Sequence, residues 1–165
     1  LLNSANYGVP QKRERVIIVG IRKDLKKVFT FAKEPITLEG KFIPLKKVIE
    51  SNVDEKYFFS KKAVEGMKKA KKCMNKGRAQ DVNKPCNTVG SHLAKVSLNS
   101  TDPVLLINER YRRFTPREVA RIQSFPEEYK LSQSESAQYR ALGNAIAPLM
   151  IWHVAKELSR TLVNT

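Results

Sequence analysis

Gln11, Arg13 and Arg15 stand two residues apart at the head of an apolar run, Val16-Ile17-Ile18-Val19. On an extended strand that spacing sends all three side chains to one face. Two guanidinium groups, permanently charged and donating through a fixed fork, form with a neighbouring amide a receptor for something anionic or oxygen-rich. A strand that begins in solvent with ordinary surface charges has the same pattern, so this segment needs support from elsewhere in the chain.

Two further stretches carry chemistry. Lys84-Pro85-Cys86-Asn87-Thr88-Val89-Gly90-Ser91-His92 is small, polar and turn-forming. Backbone at Gly90 can approach another surface closely, and Thr88, Ser91 and His92 offer hydrogen-bonding groups; a plain surface loop reads the same way. Later, Tyr139-Arg140-Ala141-Leu142-Gly143-Asn144-Ala145 joins a glycine, suited to close approach or to ending a helix, to an amide that both donates and accepts. Cys73 and Cys86 are too few for a disulfide framework and lack metal-ligand spacing, so no metal site is expected. His153 falls in a helical pattern and reads as a packed or partly exposed histidine.

Taken together, these segments resemble a known family. Asn3 through Gly20, with its Tyr7-Gly8-Val9-Pro10-Gln11 lead-in, resembles the motif that precedes the target-recognition region of DNA (cytosine-5) methyltransferases. Arg113-Phe114-Thr115-Pro116-Arg117-Glu118, continuing to Pro126, and Tyr139 to Ala145 resemble the last two motifs of that family, in the family's order. Thr88-Val89 is similar to a Thr-aliphatic pair of the recognition region. The resemblance spans essentially the whole chain and implies an enzyme of which roughly half is absent here. The family's Gly-rich cofactor loop, Pro-Cys nucleophile loop and Glu-Asn-Val acid motif would all lie before Leu1.

The resemblance implies cytosine C5 methylation, in which a thiolate attacks C6, an acid assists at N3, S-adenosylmethionine supplies the methyl group and the base is flipped from the duplex. It gives this chain supporting roles. Arg13 and Arg15 would reach the flipped cytosine, its phosphates and the catalytic loop, Arg15 being the better candidate for the base O2, with Gln11 orienting them or contacting the backbone. Gly143 and Asn144 would line the S-adenosylmethionine pocket, but only together with the missing N-terminal part. Arg78, Gln80, Thr88, Gly90, Ser91 and His92 would read base edges, while lysines and arginines hold phosphates. Arg117, Glu118, Arg121 and Gln123 would brace the recognition region. Pro85-Cys86-Asn87 is not the nucleophile motif, because it follows the arginine strand instead of preceding it.

The elements that must position these groups are partly legible. Arg15 to Ile21 reads as a short strand with both faces apolar, as inside a covered sheet. Ile43 to Glu50 reads as one or two helical turns. Ser60 can cap a helix through Lys72, with Ala63, Val64, Met67 and Ala70 on one face. Thr115-Pro116-Arg117-Glu118 is a capping box with proline at the first helical position, and Phe125-Pro126 stops that helix. A last helix runs from Pro148 to about Leu162, with Leu149, Met150, Val154, Leu158 and Leu162 as its apolar stripe. The expected fold class is α/β: the C-terminal edge of a Rossmann-like methyltransferase sheet domain, residues 1–23 and 107–165, with an inserted small basic target-recognition domain, residues 24–106.

Composition agrees with a polyanionic partner. The 165 residues hold 31 Lys plus Arg against 16 Asp plus Glu, a formal net charge of +15. Residues 41–80 alone carry 12 basic and 4 acidic side chains, a local excess of 12 − 4 = +8. Nucleic acid is the first partner this favours, an anionic membrane surface the second. No apolar run reaches membrane-spanning length and no signal peptide is visible, so a soluble protein of the bacterial cytoplasm is expected. A start at Leu1 close to a strand reads as a fragment, a processed product or one half of a split enzyme. The expected partners are double-stranded DNA and an N-terminal methyltransferase half. Two rivals stay open: a stand-alone DNA-binding module derived from such an enzyme, and an RNA-directed relative.

Overall fold

The structure, a computed structural model, describes residues 1–31, 41–69, 79–96, 102–132 and 134–163. Strand β1, Leu2–Asn3, pairs antiparallel with β2, Glu14–Arg15. Between them a 3-10 turn, Ser4–Tyr7, closes on Gly8, whose φ of 78° is the left-handed conformation that glycine enters without strain. The chain then runs extended, so that Gln11 bridges in parallel to Cys86. Lys12 N–H donates to the Cys86 carbonyl at 2.8 Å and Cys86 N–H to the Pro10 carbonyl at 2.9 Å. These bonds seat the arginine segment directly against the Thr88–His92 loop.

The expected strand from Arg15 to Ile21 is corrected here. Only Glu14 and Arg15 pair, and Val16 and Ile18 are exposed, at 71% and 89%. Ile17, from the opposite face, packs against a cluster built on Tyr7, Val9, Ala147 and Met150. The apolar run thus keeps the side-chain alternation of a strand, but among the described residues nothing covers its second face.

Helix α1, Lys61–Lys69, begins where Ser60 was expected to cap it, Ser60 Oγ accepting from Ala63 N–H at 3.3 Å, and it buries Met67. The rest of the expected helix, through Lys72, lies outside the described residues. Ile43 to Glu50 supplies a single 3-10 turn, Leu45–Lys47, that buries Leu45. The hairpin that follows, β3, Leu105–Ile107, and β4, Arg110–Arg112, was not expected from the residue pattern. Its turn places Asn108 and Glu109 both at positive φ, the geometry that suits the twist of a two-residue hairpin, but without the usual glycine that would announce it.

Helix α2, Pro116–Ile122, has the full capping box: Thr115 Oγ1 accepts from Glu118 N–H at 3.1 Å, and Glu118 accepts from Thr115 N–H at 2.8 Å. It ends at Ile122, before Phe125-Pro126, where Ser124 turns to a φ of 64°. Helix α3 spans Glu135–Asn144 and α4 spans Pro148–Val163. On α4 only Met150 is fully buried, and Leu162 is exposed.

The main core joins Leu45, Cys86, Val89, Leu93 and Leu105 to Phe114, Val119, Ile122, Tyr139 and Leu142. It therefore draws on residues from both sides of the boundary expected at 106/107, which itself falls within β3. The polar bond at its centre is the ion pair of Arg112 and Glu118, 2% and 0% exposed, with contacts of 2.6 and 2.8 Å. Glu118 also accepts the Glu50 N–H at 2.8 Å. One carboxylate thus caps α2, neutralises a buried guanidinium and ties down the 45–50 segment. A fork-on-carboxylate geometry with further donors is what lets such a pair stay buried. Among the described residues, no helix is long and apolar enough to cross a membrane.

Candidate functional site

The period-two segment opens the site. Gln11 and Arg13 are buried, at 0% and 3% exposure, and Arg15 is half-buried on the same face. Gln11 uses both ends of its amide. It accepts from Val89 N–H at 2.8 Å and donates to Gln123 Oε1 at 2.9 Å, and Gln123 in turn donates to the Leu142 carbonyl at 2.7 Å. Arg13 donates to the carbonyls of Val89 and Gly143, each at 2.8 Å, and of Ala145 at 3.1 Å.

Two of those three carbonyls belong to the C-terminal end of α3, where unpaired carbonyls and the negative end of the helix dipole favour a cation. No carboxylate is among Arg13's hydrogen-bond partners, and its buried Nε–H has no acceptor among the described residues. Burial, followed by the charge of Arg15, pushes the Arg13 guanidinium down to about 10, so it remains a cation at neutral pH. Arg15 is differently placed. Its guanidinium donates to the carbonyl of its own neighbour Glu14 at 2.6 Å, in an exposed setting.

Gly143 and Asn144 close α3. A Cβ at Gly143 would lie 2.3 Å from the carbonyl carbon and oxygen of Gly90 and from the Ser91 nitrogen. No side chain fits there, so this glycine is fixed by a backbone-to-backbone approach and not by the end of the helix. Asn144 is exposed beside it, with an amide free in chemistry to donate and accept. Of the two, Asn144 is the residue that can hold a cofactor's polar edge, while Gly143 faces the chain's own backbone.

The expected base-reading residues divide. Gly90 and Ser91 are half-buried beside Gly143, and His92 is exposed at the start of a 3-10 turn, Leu93–Lys95. Thr88 Oγ1 donates to the Lys12 carbonyl at 2.9 Å and fastens the loop to the arginine segment. Gln80 Oε1 accepts from Asn87 N–H at 3.0 Å, so it shapes the loop from behind. Arg78 lies outside the described residues. Cys86 is completely buried and burial drives its thiol pKa far up, which leaves it no thiolate character. His153 sits elsewhere, its ring 5.8 Å from that of Tyr7; burial, then Lys156, lowers its pKa.

Sequence reasoning missed Arg112, the other half of the buried ion pair, and missed that Arg13 would be wrapped in carbonyls. The only available signal for Arg112 was its place just ahead of the capping box. A groove of about 670 Å³ between α1 and the hairpin, lined by Lys61, Lys68 and Arg110 but equally by Glu55, Glu65 and Glu109, takes in none of the site residues.

Residues 1–160 match the model of the C-5 cytosine-specific DNA methylases. The chain belongs to this family. It is 33% identical over 168 residues to the type II methyltransferase M.AplI of Arthrospira platensis, covering 99% of this chain and 48% of that protein. It is 32% identical over 165 residues to the type II methyltransferase M.DsaV of Dactylococcopsis salina, covering 96% of this chain and 46% of that one. The chain thus spans about half the length of these curated relatives. Among solved structures it is similar to the methyltransferase EhMeth of Entamoeba histolytica, with a TM-score of 0.66 at 17% identity over 99% of this chain and 53% of that one. This similarity shows a methyltransferase fold.

Proposed function

We propose that this chain supplies the target-recognition region and the closing motifs of a DNA (cytosine-5) methyltransferase, acting on bacterial DNA with an N-terminal segment that carries the nucleophile. The observation that carries the reading is the meeting of Gln11 and Arg13 with both the Val89 backbone and the end of α3. It brings the three family-like segments to one place. In this reading residues 24–106 recognise the target, and residues 1–23 and 107–165 complete the catalytic and cofactor domain.

Within that arrangement the residues have separate tasks. Arg15, whose guanidinium among the described residues donates to its own neighbour's carbonyl, reaches the flipped cytosine and donates to O2. Arg13, fixed by three carbonyls, keeps a positive charge beneath that site. S-adenosylmethionine, when bound, supplies the methyl group; Asn144 fits its polar edge. His92 and Ser91 face the duplex from the loop, and Lys and Arg side chains neutralise phosphates. The exposed face of Val16 and Ile18 receives the segment that bears the nucleophile, whose strands would cover it. A non-catalytic binding module would have no use for a cofactor-lining residue such as Asn144.

The test is Arg15→Ala in the catalytically complete enzyme. Turnover falls far more than duplex affinity, because the lost contact is to a base that is bound only once flipped. Equal losses in turnover and affinity would reduce Arg15 to a phosphate contact.

A further inference from the structure

The Gly90–Gly143 contact joins two segments with different expected tasks, one reading DNA and the other lining the cofactor. We infer that Gly143 is a positioning residue for the Thr88–His92 loop, so that it governs duplex recognition from within the cofactor-lining segment, with Arg13 as the latch. The inference rests on the functional reading above.

The geometry leaves no slack on either side. Val89 is held at both ends of its peptide groups, its N–H by Gln11 and its carbonyl by Arg13, each at 2.8 Å. The end of α3 is held through Leu142 by Gln123 at 2.7 Å and through Gly143 by Arg13 at 2.8 Å. A single guanidinium therefore binds the loop and the helix end simultaneously, and the missing Cβ of Gly143 lets their backbones touch. Any side chain at Gly143 must displace Gly90 and Ser91, because the atoms 2.3 Å away are backbone and cannot rotate aside. Gly90 is different: among the described residues a Cβ there would meet Asp102 Oδ1 alone, at an ordinary 3.6 Å. The strict requirement for glycine lies on the helix, while the segment it would move is the loop.

Two variants of the full 165-residue chain test this. The first is Gly143→Ala, read as the dissociation constant for a short mixed-sequence duplex with no S-adenosylmethionine present. It rises about tenfold, within the range of coupling between linked sites. An unchanged constant, with any defect confined to the KM for S-adenosylmethionine in the complete enzyme, would overturn the inference. The second is Arg13→Lys, which keeps the charge but loses the fork, read by hydrogen exchange. The Val89 amide exchanges at least tenfold faster while amides of the Leu105–Ile107 strand keep their protection. Unaltered Val89 exchange would remove the latch, even if Gly143→Ala fails to fold. Should the wild-type chain bind no duplex at all, the functional reading falls, and the exchange experiment still decides whether the latch exists.

Discussion

At the scale of single residues, buried charge decides the most. Arg112 and Glu118 are almost wholly out of water, and removing one partner strands the other. Glu118→Gln or Arg112→Met is expected to cost about 3–5 kcal/mol, read by denaturant unfolding, whereas an exposed pair such as Arg22–Asp24 is worth at most about 1 kcal/mol. Glu135 gives a pH signature. Burial opposes its ionisation, but hydrogen bonds from Lys56 and Tyr57 and the charges of Lys56 and Arg113 hold it below its ordinary value. Its contribution is therefore present above the ordinary carboxylate range and lost as pH falls through the depressed value. Thermal melts of Glu135→Gln should converge on wild type in acid and fall below it near neutrality; a constant gap at all pH values would exclude the linkage. The period of Gln11, Arg13 and Arg15 was legible from sequence because a strand places alternate side chains together. That Arg13 would be clasped by three carbonyls was not, since two of them lie more than a hundred residues away on a helix end.

At the scale of elements, signals held wherever the information was local. The capping box at Thr115 fixed the start of α2, and Thr115→Ala should cost about 1 kcal/mol in stability through the lost cap. Ser60 and Pro148 marked their helices for the same reason. The hairpin β3–β4 and helix α3 were not legible: the Asn108-Glu109 turn has no glycine, and Ser134 precedes α3 without a side-chain cap bond. Val16 to Val19 misled in the opposite direction. Its composition belongs to a covered strand, yet cover must come from neighbours that the local sequence cannot show. Ile18→Lys should consequently leave the stability of this chain within about 0.5 kcal/mol, as for surface substitutions in general. The same change should prevent productive association with the nucleophile-bearing segment. A large loss of stability in the chain alone would mean that the face is covered already.

At the scale of the whole molecule, charge dominates, together with a length about half that of the curated relatives. A net charge of +15 predicts duplex binding whose log affinity falls with log salt, by about 0.9 for each phosphate neutralised. Affinity indifferent to salt would remove DNA as the partner. Specificity should travel with residues of about 75–100 when that stretch is exchanged with a relative's, since the loop held by Gln11 and Arg13 lies within it. The family could be read from three motifs in order, but the target sequence cannot be, because recognition loops are set by individual side chains on irregular backbone. In the proposed function, this chain is the recognising and closing portion of a methyltransferase whose nucleophile comes from an N-terminal segment. The direct measurement is transfer of a tritiated methyl group from S-adenosylmethionine to duplex DNA, by this chain alone and then mixed with a nucleophile-bearing N-terminal half from the same organism. Transfer in the mixture only is the predicted result. Transfer by the chain alone, or none in the mixture while salt-sensitive binding persists, would contradict it.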